Sequence, residues 1–345
     1  MVSGPTDARA SDAPVVAGLY RDIPLPHLTL KGNILLAPMA GWSDAAFRLT
    51  CSKWGASLCF TEMVSAEALL RGNPKARALL VRAPGEGLPA VQIFASRPAS
   101  AAAAVRDISR RGAALIDLNC GCSVAKVLKT GSGAALLKAP ALIGDILRAM
   151  RNETDTPVSV KLRSGWDAES INYPEAGEHA VDAGAVMVTL HPRTRAELFT
   201  GRAHWDHIRA LQRQLDVPVI GSGDLFIPGD VRSMLLETGC RGVMIARGAM
   251  GNPFIFARSV ALLTEGRTAS VEPGDRIRLE TALSQLRAAI ELKGERTACR
   301  EARKHFSAYT KGMSGAAALR RCFCRASTYR EYEEIVLGRL DGRSG

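Results

Sequence analysis

A (β/α)8 TIM barrel followed by a small all-α C-terminal domain is the α/β architecture that this sequence predicts. Two observations carry the prediction. Eight short apolar runs recur between residues 34 and 247, each bounded by glycine, proline or polar residues. Continuous apolar strands of this kind belong to parallel sheets covered on both faces. Stretches of helical periodicity separate them, which is the alternation of a barrel. An open doubly wound sheet is the alternative, but it starts with a glycine-rich phosphate loop after its first strand. Here the first run ends in Ala37-Pro38-Met39-Ala40-Gly41, which is not that loop.

In chain order, strands are expected at Ile34–Met39, Leu58–Met63, Ala90–Ala95, Leu115–Cys120, Val158–Arg163, Val186–His191, Val217–Ser222 and Val243–Arg247. Helices are expected at Asp44–Trp54, Ala99–Arg111, Ala134–Arg151, Pro174–Ala183, His204–Gln214, Pro228–Thr238 and Asn252–Leu263. The connection around 66–82 is looser. Leu28–Leu30 and Ile34–Leu36 flank Lys31-Gly32-Asn33, the spacing of a hairpin that would plug the barrel floor. The polar segment Thr264–Pro273 marks a boundary, and beyond it no strand pattern remains. The expected organisation is a flexible tail over 1–20, a barrel domain over 21–265, and a helical domain over 274–345.

Composition narrows the class. With 47% hydrophobic and 23% charged residues, the chain is neither collagen-like nor disordered. No run of about 18 apolar residues suggests a membrane span. Residues 1–18 lack a basic region followed by an apolar core, so no secretory leader is expected. Eight cysteines are then expected to be reduced thiols in a cytoplasmic protein. The Cys120/Cys122 and Cys322/Cys324 pairs have one intervening residue, where thiolate metal sites use about two to four, so no metal is expected. The net charge is +11, and residues 271–345 carry 15 Lys and Arg against 10 Asp and Glu. That density is about three times that of the preceding chain, and it favours a polyanionic partner. Arg296, Arg300, Arg303 and Lys304 fall on one helical face, with Lys311 further on.

In a barrel, chemistry collects at the C-terminal strand ends. Those ends hold Pro38-Met39-Ala40, Glu62-Met63, Gln92, Asn119 and Cys122, Lys161 and Arg163, and His191-Pro192-Arg193-Thr194-Arg195. The last two strands end in Ser222-Gly223-Asp224 and Ala246-Arg247-Gly248. Glycines there free backbone N–H groups for a phosphate, and Arg247 adds a forked donor. Lys161, alone in an apolar strand, is costly to bury without an anion or a polar ligand. These features suit flavin mononucleotide, whose reduced ring gains from nearby amide and ammonium groups. A thiol beside it could donate a proton near neutral pH.

The residues resemble those of the tRNA-dihydrouridine synthases, most closely the bacterial B-type group. The resemblance runs over about 35–309. It rests on Ala37-Pro38-Met39-Ala40-Gly41, Asp117-x-Asn119-x-Gly121-Cys122, Lys126-Val127, Gly133-x-Ala135-Leu136-Leu137 and Lys161-x-Arg163-x-Gly165-Trp166. It continues through His191-x-Arg193-Thr194-Arg195, Gly201-x-Ala203, Gly223-Asp224, Ala246-Arg247-Gly248-Ala249, Pro253-Phe254-Ile255-Phe256 and Ala302-Arg303-Lys304-His305. The resemblance implies a flavoprotein oxidoreductase in which NADPH reduces FMN. The flavin then gives a hydride to C6 of a uracil in tRNA. By motif position Cys122 protonates C5, and Asn119 positions the uracil. Lys161 and His191 contact the flavin or its phosphate, and Arg193 and Arg195 lie near the substrate. Pro38, Met39, Ala40, Gln92, Ser222, Gly223, Asp224, Ala246 and Arg247 map onto the flavin site. The Arg296–Lys304 face is expected to meet tRNA phosphates, and a monomer is expected. Ser123 and Cys120 stand where the family usually has Pro and Met. Ser222, Ala246 and Pro192 stand where it usually has Asn, Gly and Gly. A flavin-dependent barrel acting on a small pyrimidine or enone is the rival reading. An RNA-binding protein without chemistry is a third.

Overall fold

The structure is a computed structural model that describes residues 16–267 and 273–341. The expected tail therefore lies outside the described residues as far as residue 15. A hairpin of β1 (Ile23–Leu25) and β2 (Leu28–Leu30) precedes eight strands: β3 (Ile34–Leu36), β4 (Val64–Ser65), β5 (Ala90–Phe94), β6 (Leu115–Cys120), β7 (Val158–Arg163), β8 (Val188–His191), β9 (Val219–Ser222) and β10 (Gly242–Ile245). All their pairings are parallel, in the order β3-β10-β9-β8-β7-β6-β5-β4. The ring closes through the segment before β4. Leu36 N–H donates to Leu58 O at 2.9 Å, and Ala90 N–H donates to Cys59 O at 3.0 Å. Parallel bridges join Leu36 to Cys59 and Phe60 to Ala90. The expected (β/α)8 barrel with its α domain is thus the observed fold.

Around the barrel run α1 (Ala45–Lys53), α2 (Ala66–Leu70), α3 (Pro74–Ala78), α4 (Pro98–Arg111), α5 (Ala125–Leu128), α6 (Pro140–Arg151), α7 (Tyr173–Asp182), α8 (Trp205–Gln214), α9 (Pro228–Thr238) and α10 (Ile255–Glu265). Then follow α11 (Asp275–Lys293), α12 (Glu295–Tyr309), α13 (Ala316–Arg325) and α14 (Tyr329–Leu340).

Three local expectations are corrected. Leu28–Leu30 pairs with Ile23–Leu25 and not with Ile34–Leu36. Pro26-His27 makes the tight turn, with His27 at φ +60°. The single helix expected over Ala134–Arg151 is a 3-10 turn, Gly133–Lys138, followed by α6. Pro140 has no N–H, and Ala139 before it sits at φ −145°, ψ 75°, outside helical space. The second strand is broken, because Thr61 turns its hydroxyl to Glu62 O at 2.8 Å and receives Gln92 N–H at 3.2 Å.

The barrel core is one apolar cluster of strand and helix faces. The helical domain has its own, built on Phe306, Phe323 and Tyr332, with ring centroids 4.5 to 5.5 Å apart. Ala46 of α1 and Phe254 before α10 belong to that second cluster, so the two parts share packed surface. Trp54 meets Phe254 edge-on at 4.6 Å. No helix among the described residues is long and apolar enough to cross a membrane.

A buried ion pair pins α1 to the loop before β5. Arg48 and Glu86 side chains are 1% and 3% exposed, with Nε to Oε1 at 2.6 Å and Nη2 to Oε2 at 3.2 Å. Arg48 also donates to Ser43 O and Val81 O, and Glu86 accepts Ala83 N–H. Removing one partner strands a buried charge. Glu86→Ala is therefore expected to lower stability by about 3–5 kcal/mol, read as a shifted urea midpoint.

Candidate active site

A cavity of about 380 Å³ opens at the C-terminal ends of the strands. Its size suits a small cofactor or ligand. Pro38, Met39, Ala40, Gln92, Asn119, Cys122, Lys161, His191, Ser222, Gly223, Asp224, Ala246 and Arg247 all line it. Seven of the eight strand ends thus contribute the residues expected there, and the segment before β4 adds Met63.

The polar floor starts from Asp117, fully buried inside β6. Burial pushes its carboxyl up to about 6, against hydrogen bonds from Ser159 and Gln92 and the charge of Lys161. Ser159 Oγ donates to Oδ1 at 2.5 Å, and Gln92 Nε2 donates to Oδ2 at 2.8 Å. This fixes the Gln92 amide, whose Oε1 accepts Asn119 Nδ2–H at 2.7 Å. Asn119 Oδ1 then accepts the N–H groups of Gly121 at 3.1 Å and Cys122 at 2.9 Å. A side chain holding the backbone two and three residues ahead is an Asx turn, and it sets the cysteine loop. Arg163 completes the loop's support, donating from Nε to Gly121 O at 2.9 Å. Its Nη1 reaches Thr194 O and Leu198 O, tying the loop to the segment after β8.

Cys122 is half-buried on the cavity wall. Burial raises its thiol above the ordinary value, although a Val124 backbone bond, Arg163 and Lys161 oppose the rise. At neutral pH the sulfur therefore keeps its proton. Lys161 is held down to about 8, first by burial and then by Arg163, against Asp117 and Cys122. No hydrogen bond or salt bridge to it occurs among the described residues.

The opposite wall is cationic. His191 is buried, and its pKa is well below the ordinary value through burial and then Lys161, Arg163, Arg193 and Arg247. It is a neutral ring 3.3 Å from Arg193 Nη1. Gly223 lies at φ +115°, where a Cβ would come within 2.9 Å of the His191 ring. A Cβ on Gly248 would fall 2.1 Å from Leu225 O. The loops after β9 and β10 thus need glycine for close approach, and their backbone faces the cavity. Arg247 lies over the exposed rings of Phe199 and Phe226 at 4.8 and 5.3 Å.

Other expected residues lie elsewhere. Arg193 does not line the cavity; it is buried and donates to Thr200 O, Gly201 O and Asp224 Oδ2, the last at 2.7 Å. Asp224, at φ +56°, also accepts Ala203 N–H and faces Arg247. Arg195 is outside the cavity and lies over Trp166 at 4.5 Å, where Lys138 also sits at 3.8 Å. On α12, Arg296 and Arg300 are exposed. Arg303 leans on Ala326 O at 3.4 Å, and Lys304 donates to Gly41 O. Sequence reasoning missed Asp117 as the base of the network, although a carboxylate inside Leu115-Ile116-Asp117-Leu118 demands partners. It also missed Trp42, Phe199 and Phe226 on the cavity wall, which loop sequence does not reveal.

The donor set fits a flavin mononucleotide. Gly223, Gly248 and Arg247 would hold its phosphate, Met39 and Ala40 would face its ring, and Lys161, without a hydrogen bond or salt bridge among the described residues, is a cation suited to a reduced ring. Among the described residues, no group of three or more His, Cys, Asp or Glu could hold a metal ion.

The family model described as dihydrouridine synthase matches residues 35–339. A probable tRNA-dihydrouridine synthase from Treponema pallidum is 40% identical over 328 residues, covering 92% of this chain and 96% of that one. The tRNA-dihydrouridine synthase B of Vibrio cholerae is 36% identical over 312 residues, covering 90% and 97%. Among solved structures, a 6-hydroxypseudooxynicotine amine oxidase from Pseudomonas geniculata aligns with TM-score 0.55 at 13% identity, over 78% of this chain and 52% of that one. Histamine dehydrogenase from Rhizobium aligns with TM-score 0.53 at 14% identity, over 94% and 64%. These last two likenesses show the fold.

The thiolate is the nucleophile, so a raised thiol delays alkylation to higher pH. Iodoacetamide labelling of Cys122, followed by peptide mass spectrometry, is expected to rise with a midpoint above 9, the ordinary value. Lys161→Met removes a stabilising cation and is expected to move that midpoint higher still.

Proposed function

The chain belongs to the dihydrouridine synthase family, and from that premise we propose that it reduces the C5–C6 double bond of uridines in tRNA. It does so in the cytoplasm, as a monomer, using FMN with NADPH as the reductant. One observation supports this most directly: a proton-bearing thiol, an unpartnered lysine and an anion cradle share one cavity.

When bound, the flavin supplies the hydride that saturates the double bond. The chain does the rest. Glycine-loop amides and Arg247 would hold its phosphate at the ends of β9 and β10. Met39 and Ala40 line the apolar floor. Lys161, charged for most molecules at neutral pH given a pKa of about 8, stabilises negative charge near the ring. The uracil must leave its stack to reach the cavity. Asn119 does not act on the base alone. By fixing the Gly121 and Cys122 amides it also holds Sγ in place. Cys122 Sγ–H then gives its proton to C5, and the thiol form is the one favoured here.

For the RNA, Arg296 and Arg300 are the α12 residues free to meet phosphates. Arg303 and Lys304 are committed to protein contacts. Arg193 and Arg195 act by shaping the β8 loop, through Asp224 and Trp166 respectively.

Cys122→Ala is expected to retain flavin and its absorbance yet form no dihydrouridine, measured by mass spectrometry of digested tRNA. Unchanged product would refute the acid role. Reversing Arg296 and Arg300 to Glu is expected to raise KM for tRNA and reduce the salt slope of binding by about two, one per lost phosphate contact. Reduction of the flavin by NADPH without tRNA should be unchanged. Equal turnover on free uridine would instead favour a small-molecule enzyme.

A further inference from the structure

The helical domain reaches the turn that follows the cavity floor. Gly41 follows the floor residues Met39 and Ala40 and is gripped on both sides. Its N–H donates to Oε2 of Glu62, and its carbonyl accepts from Nζ of Lys304 on α12. The next residue, Trp42, lines the cavity itself. Its ring meets His305 edge-on at 4.7 Å and lies 5.8 Å from Lys304 Nζ. Two residues on, Asp44 caps α1 and accepts Lys293 Nζ–H at 2.6 Å, while Lys293 also reaches Glu301.

The grip is transmitted to the floor by short bonds. Met39 O accepts the N–H groups of Trp42 at 2.9 Å and Ser43 at 3.0 Å, and Met39 N–H donates to Ser43 Oγ at 2.9 Å. Met39 and Trp42 are therefore parts of one rigid turn. Gly41 sits at φ +74°, in the left-handed region that glycine adopts without strain. External holds on the turn come from Glu62 and Arg48 in the barrel and from Lys304 and His305 in the helical domain.

We propose that Lys304 is a positioning residue for the cofactor: through Gly41, and with His305 against Trp42, the helical domain sets the Met39–Trp42 floor on which the flavin ring would lie. This rests on the flavin reading above. Lys304 thereby differs in role from Arg296 and Arg300. The three share one stripe of α12 running from 296 to 304, about 12 Å long, whose outer end is free and whose inner end holds the floor.

The test compares FMN binding by apo-protein, from quenching of flavin fluorescence, in wild type, Lys304→Met, Lys304→Arg and Arg300→Ala. Losing a charged hydrogen bond to the turn is expected to weaken FMN about tenfold in Lys304→Met. Lys304→Arg should restore most of the loss, and Arg300→Ala should bind FMN as wild type does. Thermal unfolding of the apo forms should coincide, since the shared core of α1, α11 and α12 is untouched. Equal FMN affinity in wild type and Lys304→Met, with tRNA affinity alone reduced, would overturn the proposal and make Lys304 an RNA contact. An apo Lys304→Met that unfolds much earlier, with Lys304→Arg no better, would overturn it in favour of a structural role. If wild type itself binds no FMN, the flavin reading fails and this proposal with it.

Discussion

The Asp117 carboxylate is the constraint on which the catalytic end of the barrel depends. A parallel strand buried on both faces has no water to offer a charged side chain. Asp117 therefore has to be met by protein donors, and Ser159 and Gln92 are the two that meet it. Because both Gln92 amide hydrogens and its oxygen are distinct, committing Nε2 to Asp117 leaves Oε1 aimed at Asn119. Asn119 is then forced to present Oδ1 to the Cys122 loop. One buried charge thus fixes the orientation of two amides and the backbone under the thiol. In this chain Ser123 follows the cysteine, so the loop has no proline to restrict it. The Asn119 turn and the Arg163 contact to Gly121 O supply the restraint from below and from the side.

The same logic joins the two domains. Apolar contact alone would let the helical domain slide on α1. Polar ties at Gly41 and Asp44 are directional, and so they fix its register. His305 contributes as an aromatic body: burial holds its pKa down to about 4, so it meets Trp42 as an uncharged ring. The basic stripe of α12 is thereby anchored to the floor of the cavity at one end only.

The barrel was legible in the sequence because its signals are periodic and repeated. Eight apolar runs with helices between them leave few topologies, and the C-terminal strand ends then nominate their residues. The glycine-bearing loops at Gly223 and Gly248, at the ends of the last two strands, were readable for the same reason. What stayed hidden depends on contacts between segments distant in sequence. Arg193 reads as a substrate ligand from its motif, but its guanidinium is spent on Asp224 and two carbonyls some seven residues on. Lys304 reads as part of a solvated cationic face, and only the packing of α12 against the first barrel turn brings it to Gly41. The misplaced hairpin has a local cause: Lys31-Gly32-Asn33 resembles a turn, but Asp22 takes Lys31 and the Gly32 N–H, and Asn33 donates to Leu19 O and Arg241 O. The segment is thereby used to seat the first strand.

The charge balance around the cavity also constrains the kind of ligand it favours. Lys161, Arg163, Arg193 and Arg247 converge on His191, whose ring stays neutral first because it is buried and then because of their charges. Against them stands the Asp224 carboxylate, held below its ordinary pKa by Arg193 and Arg247 despite its own burial. Asp224 faces Arg193 at 2.7 Å and Arg247 only at 3.5 Å, so most of the Arg247 fork is unspent. Lys161 has no salt-bridge partner among the described residues. A cavity so arranged favours a ligand carrying negative charge at two separated points, one beside Arg247 and one beside Lys161. A neutral His191 between those points adds no further positive charge there.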